Sequence, residues 1–147
     1  MVGGPTNKLT FASAAAVSAT KPGGTPGQLA ASWSYPPNTN FNTPRGGNLA
    51  SQVVALTINT SLTLQYAGIG GLTLFGLTGD AACYNNMTVS AVLAIANGVL
   101  GGAAPPCGNI GTLTGLLGGS LTGDATGGLN PSFDKCVASQ WAIEHLR

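Results

Sequence analysis

Acyl-transfer catalysis needs a nucleophile, a base and a group that orients the base. In this chain the base role would fall to His145, the single histidine, which stands between Glu144 and Leu146 at the end of a predicted helix. A capping or surface role accounts for it as well. A Cys–His hydrolase built with Cys136 fails on geometry, because a nine-residue offset along one helix puts the two side chains on opposite faces and about 13 Å apart along the axis. Paired carboxylates for glycoside hydrolysis would come from Asp80, Asp124, Asp134 and Glu144. Asp80 and Asp124 are the best pair because each sits in an LTGDA segment, yet an Asp between Gly and Ala also reads as a turn former. Neither lies in an Asp-rich loop with the several oxygen ligands that calcium requires.

Cys83, Cys107 and Cys136 form no CxxC, and His145 cannot complete a zinc set with them. No metal and no cofactor is expected. In an exported chain the favoured arrangement is one intrachain disulfide, Cys83 to Cys107, because the two flank one predicted helix; Cys136 would then be available to link subunits. Three reduced, buried cysteines in a cytosolic protein are the alternative. The glycine pairs at Gly23-Gly24, Gly46-Gly47, Gly70-Gly71 and Gly118-Gly119 match neither GxGxxG nor GxxxxGK[ST], so they read as turns. Asn86-Met87-Thr88 and Asn59-Thr60-Ser61 are glycosylation acceptors in form, Asn59 being the weaker because it lies near a helix expected to be buried. Trp33, Tyr35 and Phe41 surround Pro36-Pro37 and suggest an aromatic platform for a sugar ring or a neighbouring subunit, or packing at the edge of the core. The Leu-Thr pairs are too irregular for an ice-binding face.

Composition narrows the class further. Only five Lys or Arg and four Asp or Glu occur in 147 residues, for a net charge of +1, with 23 glycines and 9 prolines. An ordinary soluble domain has roughly a quarter charged residues, so charge repulsion would oppose self-association only weakly here. Lys8, Lys21, Arg45, Lys135 and Arg147 are scattered, with no basic stripe to neutralise a run of phosphates, which argues against nucleic-acid binding. No apolar run approaches the roughly 20 residues of a membrane span. Met1–Pro5 lacks the basic and apolar regions of a secretory signal, so any export signal is expected to have been removed, to lie upstream or to be absent.

These residues must be positioned by elements read from periodicity. Lys8 to Ala12 is predicted as a short strand running into an alanine-rich helix over Ser13 to Thr20. Lys21 to Gly27 is a loop, and Thr25-Pro26 reads as a cap and first turn of a brief helix to about Trp33. Asn48 is a predicted N-cap for a helix to about Thr60, apolar nearly all round and therefore central. Leu-Thr alternation over Ser61 to Leu77 favours short strands or a hairpin. Thr88 caps a predicted helix over Val89 to Leu100, stopped by Gly101-Gly102. A glycine-rich run follows with Leu113, Leu116 and Leu117, and then Ser132 caps a last helix to about His145, with Phe133, Val137 and Trp141 on its apolar face.

LTGDA at residues 77–81 recurs at 121–125, and the offset also pairs Gly71 with Gly115, Asn86 with Asn130 and Thr88 with Ser132. Two related strand-loop-helix units, over about 70–101 and 114–145, are one reading of this; chance recurrence in a chain so rich in Leu, Thr and Gly is the other. LTFASAAAV (from Leu9), GGTPGQLAASWSYPPNT (from Gly23), GGNLASQVVALTIN (from Gly46) and MTVSAVLAIANGVLGG (from Met87) together resemble an uncharacterised module of large secreted bacterial cell-surface proteins. The resemblance implies an exported protein of the cell surface or extracellular matrix and carries over no catalytic or binding residues.

The expectation is an α+β fold: one domain with a mainly helical core of about three to five helices and a few short strands. Its expected role is that of a non-catalytic structural subunit or module of an extracellular bacterial assembly, partnered by copies of itself or neighbouring modules. Assembly would use side-to-side packing or the insertion of Val2 to Ala12 into a neighbour's sheet. The alternative is an adhesive module that binds glycan through Trp33, Tyr35 and Trp141.

Overall fold

In Lys8–Phe11 (β2) the side chains alternate across the strand, with Leu9 fully buried while Lys8 and Thr10 are exposed. The computed structural model describes residues 1–19, 24–36, 45–61 and 69–118. Strand β2 is the middle of three. Val2–Gly3 (β1) pairs with it antiparallel, Val2 opposite Leu9, and Trp33–Tyr35 (β3) pairs parallel, with Thr10 opposite Ser34 and Phe11 opposite Tyr35. Parallel neighbours need a crossover. Part of it is the short helix Ala14–Ala19 (α1), opened by Ser13, whose Oγ accepts the Ala16 N–H at 3.1 Å. The predicted strand running into an alanine-rich helix is what forms.

Thr25 to Trp33 is not helical, against the expectation from Thr25-Pro26. Its backbone donors are claimed from outside the segment: Gly27 N–H donates to Gly46 O and Leu29 N–H to the Leu100 carbonyl at 2.8 Å. The Gln28 side chain likewise donates to Ala103 O at 2.7 Å. Leu29 is thereby fixed in the core at 4 % exposure, and Trp33 enters a strand. Long-range pairing overrides the local capping signal.

The central helix, Gly47–Ser61 (α2), buries Leu49, Val53 and Leu56. It starts before the predicted cap. Gly46 and Gly47 take φ of +83° and +57°, a conformation that a side chain resists, and the Asn48 N–H donates to Gly24 O. Three hydroxyls further along are absorbed by the helix itself: Thr57, Thr60 and Ser61 donate to the carbonyls of Val53, Leu56 and Thr57 at 2.7, 3.0 and 2.7 Å. Back-bonding of this kind satisfies a hydroxyl without solvent, so polar residues tolerate partial burial.

Helix Val89–Leu100 (α3) has the predicted bounds. Thr88 Oγ1 accepts the Ala91 N–H at 3.1 Å, and Val89, Val92, Ala96, Val99 and Leu100 are buried. Its end packs against the turn after β1 so closely that a Cβ on Gly101 would collide with the Gly4 backbone. Asn97 couples helix to sheet: its Oδ1 accepts the Gly3 N–H at 2.7 Å, while its amide donates to Leu93 O.

Before α3 the chain departs from the predicted strands. Ile69–Gly71 and Gly79–Tyr84 are 3-10 helices. Between them the Leu-Thr-Leu alternation survives as a short antiparallel pairing: Leu74 N–H donates to Met87 O and Val89 N–H to Leu72 O, with Leu72 and Leu74 buried and Thr73 bridged to Thr88. The glycine-rich run after Cys107 is also more ordered than expected. Asn109 opens Ile110–Leu116 (α4) through a reciprocal capping box with Thr112.

The fold is α+β. Helices α2, α3 and α4, strand β1 and the 3-10 helices enclose one apolar cluster that includes Leu9, Tyr35, Leu49, Tyr84 and Leu113. Val2 and Leu9 belong to it, so the N-terminal segment already completes the sheet of its own chain rather than standing free for a neighbour's. Among the described residues no helix is long and apolar enough to cross a membrane. Of the second repeat unit only the start is described: Gly115-Leu116 end a helix, whereas Gly71-Leu72 leave a 3-10 turn. The remainder, with the predicted helix from Ser132, lies outside the described residues.

Candidate functional site

Two features stand out from the scaffold, a hydroxyl-lined depression at the β2–β3 sheet and a disulfide beyond α3. At the sheet, the alternation of β2 exposes Lys8 and Thr10 while β3 exposes Trp33 and Ser34, and these four with Ser32 line an open depression of about 270 Å³. Ser32 fixes one side, its Oγ accepting the Lys8 N–H at 3.1 Å and donating to Thr6 O at 3.3 Å. Trp33 is 44 % exposed, and the Arg45 guanidinium carbon lies 3.9 Å from its ring centroid, a cation–π contact.

Of the three aromatic residues expected to form one platform, Trp33 is exposed and Tyr35 is not. Tyr35 is buried at 2 % exposure, stacked on Phe11 with centroids 5.0 Å apart and planes within 11°. Its hydroxyl accepts the Arg45 N–H at 3.0 Å. The ring is therefore a core side chain that anchors the residue gripping Trp33, which removes it from any exposed surface. Phe41 and Trp141 lie outside the described residues.

Cys83 and Cys107 are joined as a disulfide, with Cα atoms 6.4 Å apart and a sequence separation of 24. Cys83 belongs to the 3-10 helix Gly79–Tyr84 and Cys107 to the connection from α3 to α4, so the bond closes a loop that contains all of α3. Next to it, fully buried Tyr84 donates its hydroxyl to the Cys107 carbonyl at 3.4 Å. Burial pushes the Tyr84 phenol above its ordinary value. Cys136 lies outside the described residues.

Asp80 is exposed in the first turn of the same 3-10 helix; Asp124, Asp134, Glu144 and His145 lie outside the described residues. Among the described residues no three of His, Cys, Asp and Glu gather as a metal site would require. The two glycosylation candidates occupy different settings. Asn86 is exposed in a turn at φ +69°, whereas Asn59 is partly buried within α2. No family model, curated protein or solved structure matches the chain. Inference about function therefore rests on the residues themselves.

Sequence reasoning missed Lys8, Thr10, Ser32 and Ser34 as neighbours of Trp33. The alternation in KLTF already put Lys8 and Thr10 on one face. Their partners were hidden because 25–33 reads as a helix, and a parallel strand pair leaves no turn motif to announce it.

Proposed function

We propose that the chain is a non-catalytic structural subunit or module of an extracellular bacterial assembly such as a filament, sheath or surface protein. The observation that carries this is the Cys83–Cys107 disulfide, because such bonds persist in oxidising compartments outside the cytosol. Sparse charge adds to it: nine ionisable Asp, Glu, Lys or Arg residues in 147 leave little repulsion between copies. Ile58 on α2 and Phe75 in the loop before the second 3-10 helix, 43 % and 40 % exposed, are apolar points for side-to-side packing. The resemblance to modules of secreted surface proteins agrees.

Packing between faces is favoured over exchange of the N-terminal segment, since Val2 and Leu9 are already core residues. Negative-stain microscopy of purified oxidised protein across a concentration series tests the proposal. Fibres or sheets are expected to grow as concentration rises. Isolated particles throughout, in both oxidised and reduced samples, would reject it.

A further inference from the structure

We infer that Asn86 is the attachment site for an N-linked glycan and that the fold closes the second acceptor triplet, at Asn59. This goes beyond the assembly proposal and does not depend on it. An Asn-x-Ser/Thr acceptor needs a carboxamide that a transferase can reach and a hydroxyl two residues on. Asn86 stands exposed at a turn with φ of +69°, a left-handed conformation that Asn tolerates. Backbone bonds pin the turn. The Asn86 N–H donates to Leu74 O at 2.8 Å and the Met87 N–H to Tyr84 O at 3.2 Å, while the Asn85 side chain spans the N–H and carbonyl of Leu77 at 2.9 Å each. The Asn86 carboxamide itself makes no hydrogen bond among the described residues, which leaves it for an outside partner. Thr88 Oγ1 accepts the Ala91 N–H at 3.1 Å, a use of one lone pair that keeps its own hydroxyl proton to donate.

The triplet at Asn59 differs on each count. Asn59 is partly buried inside α2, and residues two apart on a helix do not face each other, so Asn59 and Ser61 cannot be read together. The Ser61 hydroxyl also spends its proton on the Thr57 carbonyl at 2.7 Å. Thr88, by contrast, is extended at φ −74° and ψ 157°, outside any helix. The substrate class for Asn86 is a sugar activated as a pyrophosphate ester, carried either on a nucleoside or on a polyprenyl chain. In the transfer, Asn86 Nδ2 bonds to the anomeric carbon as that carbon's bond to the pyrophosphate oxygen breaks. The bonding pair leaves with the pyrophosphate, one amide proton passes to a base of the transferase, and nothing is oxidised or reduced.

The test treats the folded, oxidised full chain in two arms: a soluble Asn-x-Ser/Thr glycosyltransferase with its sugar nucleotide, and a membrane oligosaccharyltransferase with a polyprenyl-pyrophosphate oligosaccharide. The arms tell the two donors apart, and denatured chain serves as the positive control in each. Site-resolved mass spectrometry of the folded chain is expected to find glycan on Asn86 in at least one arm, with occupancy of Asn59 lower by about tenfold, since reaching it requires local opening of α2. Asn86→Asp, which keeps a side chain tolerant of the left-handed turn, should abolish the product. The inference is overturned by glycan on Asn86 in neither arm or only after denaturation, by equal occupancy of Asn59 in the folded chain, or by product that persists in the Asn86→Asp variant.

Discussion

Single side chains in this molecule hold structure by satisfying backbone groups that would otherwise be orphaned, and their removal has calculable consequences. Thr88 accepts an N–H of the first turn of α3, so Thr88→Ala should lower unfolding free energy by about 1 kcal/mol, read as a lower denaturant midpoint at unchanged m-value. Leu9 is a larger case. It is fully buried between sheet and helices, and Leu9→Ala should cost about 2–5 kcal/mol in the same experiment. Tyr84 makes a pH-dependent contribution. Because burial raises its phenol above the ordinary 10.0, the folded state favours the neutral form. The resulting stability is fully present below the unfolded value and is lost as pH climbs through the higher folded one. Stability of the wild type should therefore fall above about pH 10, and Tyr84→Phe should flatten that decline in alkaline denaturation curves.

At the scale of elements, the N-terminal segment and the disulfide make the sharpest predictions. Deleting residues 1–12 removes β1, β2 and two core side chains, so the truncated chain should lose its cooperative thermal transition; a folded, assembly-defective product would instead restore the strand-exchange mechanism. Replacing Cys83 and Cys107 together with Ser should cost roughly 3.5 kcal/mol, the chain-entropy estimate for a loop of this length, measured against the oxidised wild type. How legible each element was in the sequence follows from where its stabilising partners lie. Helix α3 was readable to its ends because Thr88, the apolar stripe and Gly101-Gly102 are local signals that tertiary contacts reinforce. Strand β3 was not, since its partners Leu9, Thr10 and Phe11 are remote in sequence, as are Gly46 and Leu100, which hold Gly27 and Leu29 in the segment before it. Helix α4 was hidden by its glycines, although Asn109 and Thr112 spell a capping box once the Asn is read as a cap. The disulfide pairing followed from the bounds of α3, while the depression at the sheet depended on a parallel pairing that no local pattern encodes.

For the whole molecule, the fold joins a small sheet to a helical core through contacts made by backbone and small residues rather than by charge. The close approach of Gly4 to Gly101 and the hydrogen bond from Gly3 to Asn97 tie the two parts. A side chain at Gly101 should separate them, and Gly101→Val is expected to be among the most destabilising single changes, checked by hydrogen exchange at β1 and the end of α3 together. Because these contacts between sheet and helices are not ionic, thermal stability should change little with added salt. The disulfide has one further consequence, for a molecule under tension. If force is applied through the two ends of the chain, the 24-residue separation bridged by Cys83 and Cys107 cannot be paid out. At roughly 3.3–3.6 Å per residue, single-molecule stretching should show an unfolded length shorter by about 80 Å in oxidised than in reduced protein, so that α3 remains in a closed loop after the rest of the fold has yielded.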